Sequence, residues 1–492
     1  MNYRMVFNVT GKVIKIEGLL LLLPTLVALC YSEWTAVFAL SITTCFAIIL
    51  GFVLSILCKP KNNYTFAKEG LITVALAWLS VSIIGALPFV ISQEIPNYID
   101  ALFETVSGFT TTGASILENV EALSHGMLFW RSFTHWIGGM GILVFVLATT
   151  NKSQDGSMHI LRAEMPGPTV DKLVPKARKT SLILYLIYVV MTLVLIAMLL
   201  FGGLDLFESS VYAFGTAGTG GFAIKGDGLA STTPYVQWVI AIFMLLFGIN
   251  FNLYFLIIIG KVVEVFKSTE FWVYIGIVLS AIAIVCFNVY DSIGDFSEVI
   301  RHSVFQVSSL MTTTGFSTTD FNLWPALAKT TLLILMFIGG SAGSTAGGFK
   351  VSRIVILFKK VVNDVKKVIH PRTANAVKFN DKKLGEDTIN GVNSYLAIYV
   401  LIFAIVFFAI SFDPNIARLA TQEGVSAIET NLSATLACIN NIGPGLGLVG
   451  PMANFACYTY FSKIILTFAM LFGRLEIYPV LLLFSVKTWM NK

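Results

Sequence analysis

The stretch FTTTGAS at residues 109–115 recurs in closely similar form as MTTTGFS at residues 311–317. Each copy places three threonines and one glycine directly after a short apolar segment. Hydroxyl side chains followed by a flexible glycine are unusual inside a membrane helix. Two copies in one chain therefore indicate a repeated structural unit.

The composition shows what surrounds these two phrases. The chain has 492 residues, of which 56% are hydrophobic and only 12% are charged, whereas a soluble domain has about 25% charged residues. We therefore predict an integral membrane protein with many spans. The N-terminus has no small-residue cleavage site, so we expect it to stay as a span. The six cysteines have no C-x-x-C spacing, which argues against a disulfide framework or a zinc site.

Lysine and arginine are concentrated in alternate loops. They are densest within residues 350–383 and are frequent within 152–179, whereas residues 93–124 contain none. The opposite loops also contain Lys225, Arg301 and Arg418. Because basic loops stay in the cytoplasm, this asymmetry predicts cytoplasmic termini and places both threonine phrases outside.

Four segments repeat one order: a full span, a shorter apolar stretch, a glycine-containing phrase and a second span. They begin with spans near residue 70 and at 181–203, 271–291 and 392–412, continue with short stretches at 99–109, 205–215, 297–310 and 424–438, and end with spans at 127–149, 233–260, 326–357 and 456–487. A bilayer-crossing helix needs about 20 residues, so the short stretches are predicted to be half-helices. With an apolar hairpin at about 17–58, the predicted divisions are 1–68, 69–150, 151–262, 263–385 and 386–492.

The four phrases align with one glycine each. LFETVSGFTTTG ends at Gly113, VYAFGTAGTGG carries Gly220, VFQVSSLMTTTG ends at Gly315, and NLSATLACINNIG ends at Gly443. The last copy has Asn440, Asn441 and Ile442 where the first and third copies have three threonines, but it keeps the short apolar stretch and the glycine. The predicted fold is therefore an all-α polytopic membrane protein. Its four repeats, with an added N-terminal hairpin, surround one pore with pseudo-fourfold symmetry.

Four such loops around one axis would suit a cation. Irregular backbone at membrane depth is tolerated only where it is buried in protein or lines a water-filled cavity. Half-helices that enter from outside point their partially negative C-termini toward the membrane centre. The loops that return offer carbonyl and hydroxyl oxygens, and glycine permits the backbone angles that turn a carbonyl toward the axis.

These features resemble the Trk/Ktr/HKT superfamily of cation transporters over nearly the whole chain. The resemblance rests on FWRSFTHWIGGMGI (129–142), FGINFNLYF (247–255), MFIGGSAGSTAGGFKVSR (336–353), NNIGPGLG (440–447) and FGRLEIYPVL (472–481). The N-terminal hairpin makes the chain more similar to the TrkH pore subunits than to the shorter Ktr pore subunits. The resemblance implies a potassium-translocating subunit in a bacterial cell membrane rather than an enzyme.

The resemblance also implies that the four loops form a potassium filter. In the related plant HKT proteins, serine at the first filter glycine is associated with sodium preference, so four glycines imply potassium as the transported ion, without a covalently bound cofactor. Gly218 departs from the pattern, which has serine there. The implied ion-binding residues, most of them through backbone carbonyls, are Thr110, Thr111, Thr112, Gly113, Ala217, Gly218, Thr219, Gly220, Thr312, Thr313, Thr314, Gly315, Asn440, Asn441, Ile442 and Gly443.

The glycine loop, GGSAGSTAGG at residues 339–348, interrupts the second span of repeat 3. Ten small residues with five glycines do not hold a stable lipid-facing helix. One interpretation is close helix packing through small residues. The resemblance instead implies an intramembrane gate below the filter, formed by Gly339, Gly340, Ser341, Ala342, Gly343, Ser344, Thr345, Ala346, Gly347 and Gly348.

Arg474 is predicted to lie in the middle of the last long span. An ionisable side chain at that depth is costly and usually faces a cavity, although a long side chain can also extend toward an interface. The resemblance places Arg474 in the pore just below the filter, where its charge would oppose the passage of a cation.

The resemblance further implies partners. They are a second copy of the chain, in a homodimer with one pore per chain, and a ring of TrkA-type nucleotide-binding subunits on the basic loops 150–179 and 350–385. These loops can also contact anionic lipid, and no nucleic-acid partner is expected. A Ktr-like or sodium-coupled potassium transporter remains an alternative. A polytopic membrane enzyme is a distant one, because its catalytic groups would have to come from isolated residues such as Glu104 and Arg474.

Overall fold

The computed structural model describes residues 1–60, 67–141, 177–370, 376–380 and 382–489. The predicted loop at 150–179 lies almost entirely outside these residues. Within them the chain is mostly helical, and six segments are long and apolar enough to cross a bilayer. The predicted all-α polytopic class is therefore confirmed. Two short antiparallel strands, Lys378–Phe379 and Lys382–Lys383, follow the helix Val351–Ile369 in repeat 3.

The N-terminal hairpin is formed by Tyr3–Leu20 and Leu22–Cys30, which together make one span, and by Trp34–Leu57, which returns. The first helix begins well before the predicted start near residue 17, because the Asn2 side chain accepts a hydrogen bond from the Met5 N–H and caps it. The two helices approach closely at small residues. A Cβ added at Gly51 would lie 2.6 Å from the Gly11 carbonyl oxygen.

Each repeat begins with a span and a half-helix, in the places that the sequence predicts. The first spans are Ala67–Gly85, Ala177–Phe201, Thr269–Ile293 and Glu386–Ile410. Half-helices 1 to 4 are Tyr98–Phe109, Leu206–Gly218, Phe296–Met311 and Ala427–Ile439. Each half-helix packs against the second-span helix of the preceding repeat, and half-helix 1 packs against that of repeat 4. The four repeats therefore close a cycle.

All four half-helices start at a capping side chain. The caps are Asn97, Asp205, Asp295 and Ser426, and each accepts a hydrogen bond from a backbone N–H in the first turn. An acidic residue also lies in each first turn, where it stabilises the partially positive N-terminus. These caps set where each short helix begins.

The second spans differ from the prediction: the helix of repeat 1 ends at Gly139, near the end of the described range 67–141, and the spans of repeats 2 to 4 are each broken into two helices. They consist of His125–Gly139; Pro234–Phe247 with Phe251–Ile258; Ala326–Ile338 with Val351–Ile369; and Tyr460–Arg474 with Tyr478–Phe484. The two helices of repeat 2 meet at 90°. Residues with positive φ lie after the helix of repeat 1 and at the breaks of repeats 3 and 4, among them Gly141, Gly339 and Ile477. A helix cannot continue through that conformation.

Short elements complete the described chain. They are the helices Leu87–Ile91, Val262–Phe266, Pro414–Glu423 and Val486–Trp489, and the 3₁₀ turns Val120–Ala122, Phe321–Leu323, Gly447–Val449 and Phe455–Cys457. All four of these 3₁₀ turns lie between a half-helix with its loop and the following second span, in repeats 1, 3 and 4.

Candidate functional site: a ring of four polar loops

The four loops that follow the half-helices share one backbone conformation. In each, one residue is left-handed: Thr111, Thr219, Thr313 and Asn441 have φ of 56°, 55°, 55° and 56°. The next residue donates its N–H to the carbonyl five residues earlier, in the pairs Thr112–Ser107, Gly220–Gly215, Thr314–Ser309 and Ile442–Ala437. The residue after that is a glycine with positive φ: Gly113, Gly221, Gly315 or Gly443.

In repeat 2 the equivalent of Gly113 is therefore Gly221, and the predicted alignment of Gly220 with Gly113 was wrong by one residue. The phrase TAGTGG contains two adjacent glycines, and only the backbone conformation shows which one follows the left-handed Thr219 by two residues. Ala217 belongs to half-helix 2. Polar loops 1 to 4 are accordingly residues 110–113, 218–221, 312–315 and 440–443.

The polar loops touch one another in a closed ring. A Cβ added at Gly113 would overlap the Gly220 carbonyl oxygen, one at Gly221 would overlap that of Thr314, one at Gly315 would overlap that of Ile442, and one at Gly443 would crowd that of Thr112. Glycine is needed at all four positions, both for its positive φ and for this close approach. The ring thus brings four carbonyl oxygens from four loops to one place.

A cavity of about 120 Å³ lies against this ring. The four ring glycines, Gly113, Gly221, Gly315 and Gly443, line it together with Glu118 and Lys225. A second cavity of about 300 Å³ shares Glu118 and adds Glu423. We call these two cavities the vestibule of the ring.

The threonine hydroxyls brace the wall of the ring. Thr110 Oγ1 lies 2.8 Å from Thr112 Oγ1, and Thr312 Oγ1 lies 2.8 Å from Thr314 Oγ1. In the fourth loop, Asn441 takes over this role, because its Nδ2 donates to Thr112 Oγ1 at 2.9 Å. The loop without threonines is thereby cross-linked to the first, which closes the ring.

The glycine loop, residues 339–348, is not helical and lies directly against the ring. Its Ala342 N–H donates to Glu270 Oε1 at 2.7 Å on one side. On the side of the ring, the Gly347 N–H donates to Thr313 Oγ1 at 2.6 Å, and the Gly348 N–H donates to the Asn440 carbonyl at 3.0 Å. The segment is therefore not a helix packed through small residues, because these backbone N–H groups donate hydrogen bonds to other parts of the chain.

Arg474 ends the helix Tyr460–Arg474, so the prediction that it lies in the middle of a continuous span was wrong. The helix stops there because Glu476 and Ile477 both have positive φ. The Nη2 of Arg474 donates to the carbonyls of Gly138 and Gly139, each at 2.6 Å. Its Nη1 donates to the Thr345 carbonyl at 3.1 Å and to Thr111 Oγ1 at 3.3 Å. Arg474 therefore joins repeat 1, the glycine loop and the ring.

Asp413 anchors the opposite end of the same helix. Its carboxylate accepts hydrogen bonds from the Thr459 N–H, Thr459 Oγ1 and Ser462 Oγ at 2.9, 2.7 and 2.6 Å. Burial acts to raise the pKa of this carboxyl, but the hydrogen bonds from Ser462 and Thr459 outweigh it and lower the pKa below its ordinary value. This anchor fixes the position of the helix along its axis, and therefore the position of Arg474 at its other end.

Several residues around the ring were missed by the sequence analysis. His135 is fully buried; its Nδ1 lies 2.8 Å from the Gly108 carbonyl and its Nε2 accepts from the Phe222 N–H. Arg131 forms a buried ion pair with Glu104, with Nε and Oε1 2.5 Å apart, beside the vestibule. The sequence does mark these residues, because an ionisable residue inside an apolar stretch is itself unusual. Their partners could not be read from the sequence.

The fold and the ring define the class: a multi-pass membrane protein with four re-entrant loops around one axis. A family model described as "TrkH: Cation transport protein" matches residues 36–491. The chain belongs to this TrkH family of cation transport proteins. The family is one of transporters and not of enzymes.

Curated proteins of this family align along the whole chain. The Trk system potassium uptake protein TrkH of Salmonella typhimurium is 36% identical over 99% of this chain and 100% of its own length. That of Escherichia coli K12 is 35% identical over the same shares. The crystal structure of the potassium transporter TrkH from Vibrio parahaemolyticus matches with a TM-score of 0.87 and 28% identity, covering 100% of both chains.

Proposed function

We propose that this chain is the potassium-translocating membrane subunit of a Trk-type uptake system in a bacterial cell membrane. The observation that carries the proposal is the closed ring, in which each of the four ring glycines touches a carbonyl of the neighbouring loop. These glycines are Gly113, Gly221, Gly315 and Gly443. A ring of backbone carbonyls can replace the hydration shell of a potassium ion. The family supports cation transport, and the names of the relatives, potassium uptake proteins, support potassium.

Backbone carbonyls of residues 110–113, 218–221, 312–315 and 440–443 bind the ion in this proposal. The range 218–221 replaces the predicted 217–220, since the left-handed residue sets the register. Potassium is the transported ion and no covalent cofactor takes part. The hydroxyls of Thr110, Thr112, Thr312 and Thr314 contribute chiefly by bracing the carbonyls.

The glycine loop and Arg474 act as the gate. They are supported in this role by their position, since both contact the ring and each other on the side away from the vestibule. An arginine in a partly hydrated pore adds an electrostatic barrier of about a few kcal/mol to a monovalent cation, at an effective dielectric near 20. The loop has no helix of its own to hold it, so its neighbours determine its position.

The cytoplasmic face carries the partners. The helix Val351–Ile369 continues directly from the glycine loop, and Lys366 and Lys367 in its last turn are exposed. A ring of TrkA-type nucleotide-binding subunits that docks there can pull on the gate through this helix. Two pore chains form a homodimer with one pore each. Native mass measurement or cross-linking in lipid tests this, and monomers alone in both lipid and mild detergent would contradict the dimer.

The experiment that tests the function is uptake of rubidium or potassium by a potassium-transport-deficient bacterium that expresses this chain. We expect uptake that rises when candidate nucleotide-binding subunits are co-expressed. Uptake that requires sodium would instead favour the Ktr-like or sodium-coupled alternative. No uptake in either condition, with the protein present in the membrane, would contradict the proposal and reopen the enzyme alternative.

A further inference from the structure

Two amides of the glycine loop occupy oxygens that belong to the ring. The Gly347 N–H donates to Thr313 Oγ1 at 2.6 Å, and the Gly348 N–H donates to the Asn440 carbonyl at 3.0 Å. Both acceptor residues are buried. A Cβ added at Gly347 would overlap the Asn440 carbonyl oxygen, so glycine is required for this approach. The loop is therefore docked onto the ring by its backbone.

A third donor comes from Arg474, whose Nη1 reaches Thr111 Oγ1 at 3.3 Å. Thr111 and Thr313 are equivalent left-handed residues, and Asn440 directly precedes the equivalent Asn441. Polar loops 1, 3 and 4 thus each have an oxygen near their left-handed residue that accepts from the gate. Loop 2 differs, since Thr219 Oγ1 donates to its own Gly218 carbonyl at 2.6 Å.

We propose that these oxygens form an additional potassium site at the gate end of the ring, and that this site exists only when the glycine loop and Arg474 have withdrawn. The inference rests on the proposed function and deepens it. Amide and guanidinium hydrogens carry positive charge and satisfy the same lone pairs that a cation would use. The gate donors and the ion therefore exclude each other.

Mutual exclusion has a thermodynamic consequence. If the loop prevents an ion from binding at the gate end, an ion bound there must loosen the loop by the same factor. Potassium on the gate side is then an opener of its own pore. A large organic cation that cannot enter the ring has no such effect, and sodium, which fits a potassium ring less well, has a smaller one.

Hydrogen exchange of the loop amides tests this directly. Mass spectrometry of the purified full chain in lipid nanodiscs would follow peptides covering residues 339–350 in potassium, sodium or N-methylglucamine at one ionic strength. We expect the amides of Gly347 and Gly348 to exchange faster as potassium is raised and to be unaffected by N-methylglucamine. Exchange that is independent of the cation would overturn the proposal.

Two matched variants separate the loop contact from a general effect on the ring. Thr313→Val keeps the shape of the side chain but removes the acceptor of Gly347, so its amide should exchange about fivefold faster without potassium, as expected for one lost hydrogen bond. Thr219→Val makes the same change at an equivalent φ, 55° in both residues, without a contact to the loop amides. Its loop should exchange as in the parent. Equal exchange in the two variants would count against the site.

The two proposals fail in different ways. Potassium uptake with loop exchange that ignores potassium would refute the gate-end site and leave the proposed function intact. Absence of any potassium uptake would refute the proposed function itself. The potassium series on the parent requires no substitution, so the test stands even if Thr313→Val does not fold.

Discussion

Arg353 and Glu476 form an ion pair, with Nη2 and Oε1 2.5 Å apart, that joins two elements of the gate. Arg353 lies in the first turn of the helix that follows the glycine loop, and Glu476 lies in the break that follows Arg474. The guanidinium also stacks on Tyr395, with Cζ 4.0 Å from the ring centroid. A pull on the helix Val351–Ile369 would therefore reach both the glycine loop and Arg474.

Separating this pair should loosen the gate. We expect Arg353→Gln and Glu476→Gln each to raise isotope flux through the pore chain alone and to lower its thermal stability. Because the two residues are in direct contact, the stability effects in a double-mutant cycle should depart from additivity by roughly 0.5–3 kcal/mol. Additive effects would mean that the two elements move independently. Lys261→Gln with Glu264→Gln, an exposed pair elsewhere, is the control and should show little coupling.

Side chains at the ring glycines should impair selectivity. We expect Gly113→Ser, Gly221→Ser, Gly315→Ser and Gly443→Ser each to lower the preference for potassium over sodium, because a Cβ strains the positive φ and displaces a carbonyl. The measurement is the flux ratio of the two ions. Gly226→Ser is the control for Gly221→Ser in repeat 2, since a Cβ at Gly226 would meet no atom within 4 Å. Unchanged ratios in all four ring variants would rule out the ring as the filter.

Removing the charge of Arg474 should open a leak. Arg474→Ala, or a shortened glycine loop, is expected to increase isotope flux into liposomes that hold the pore chain alone, while selectivity is retained. Arg474→Lys keeps the charge but cannot reproduce the hydrogen bonds to Gly138, Gly139 and Thr345. An increase with Ala but not with Lys would assign the barrier to charge. If neither Arg474→Ala nor the shortened loop leaks faster than the parent, with folding confirmed, the gate lies elsewhere.

The hydrogen bonds of Asp413 predict a pH-dependent stability. A carboxyl whose pKa is lowered in the folded state stabilises the protein above its unfolded pKa of about 3.9, and this contribution is lost as the pH falls through the folded value. Asp413→Asn should therefore lower the melting temperature at pH 7, and the difference from the parent should shrink on acidification. The exposed Glu423→Gln serves as the control. A difference that is constant with pH would show that charge has no part in this anchor.

The sequence by itself determined the membrane class, the four repeats and the half-helices. These follow from properties of short contiguous segments, namely apolar length and the position of polar phrases, so no knowledge of distant contacts is needed. The sequence analysis did not name the caps Asn97, Asp205, Asp295 and Ser426, although each cap acts on the turn that follows it and is therefore a local feature. The glycine loop was also visible, since five glycines in ten residues oppose a helix on their own.

Only the tertiary structure decided the breaks in the second spans, the register of Gly221 and the contacts of Arg474. Hydropathy does not distinguish a continuous helix from two apolar helices that meet at 90°, as in repeat 2. Thr219 and Gly221 were assigned by a backbone conformation that neighbouring loops impose. Arg474 donates hydrogen bonds to the carbonyls of Gly138 and Gly139, which lie more than 300 residues earlier in the chain. Such pairings arise when separate repeats pack around one axis, and packing of that range is not encoded in any local pattern.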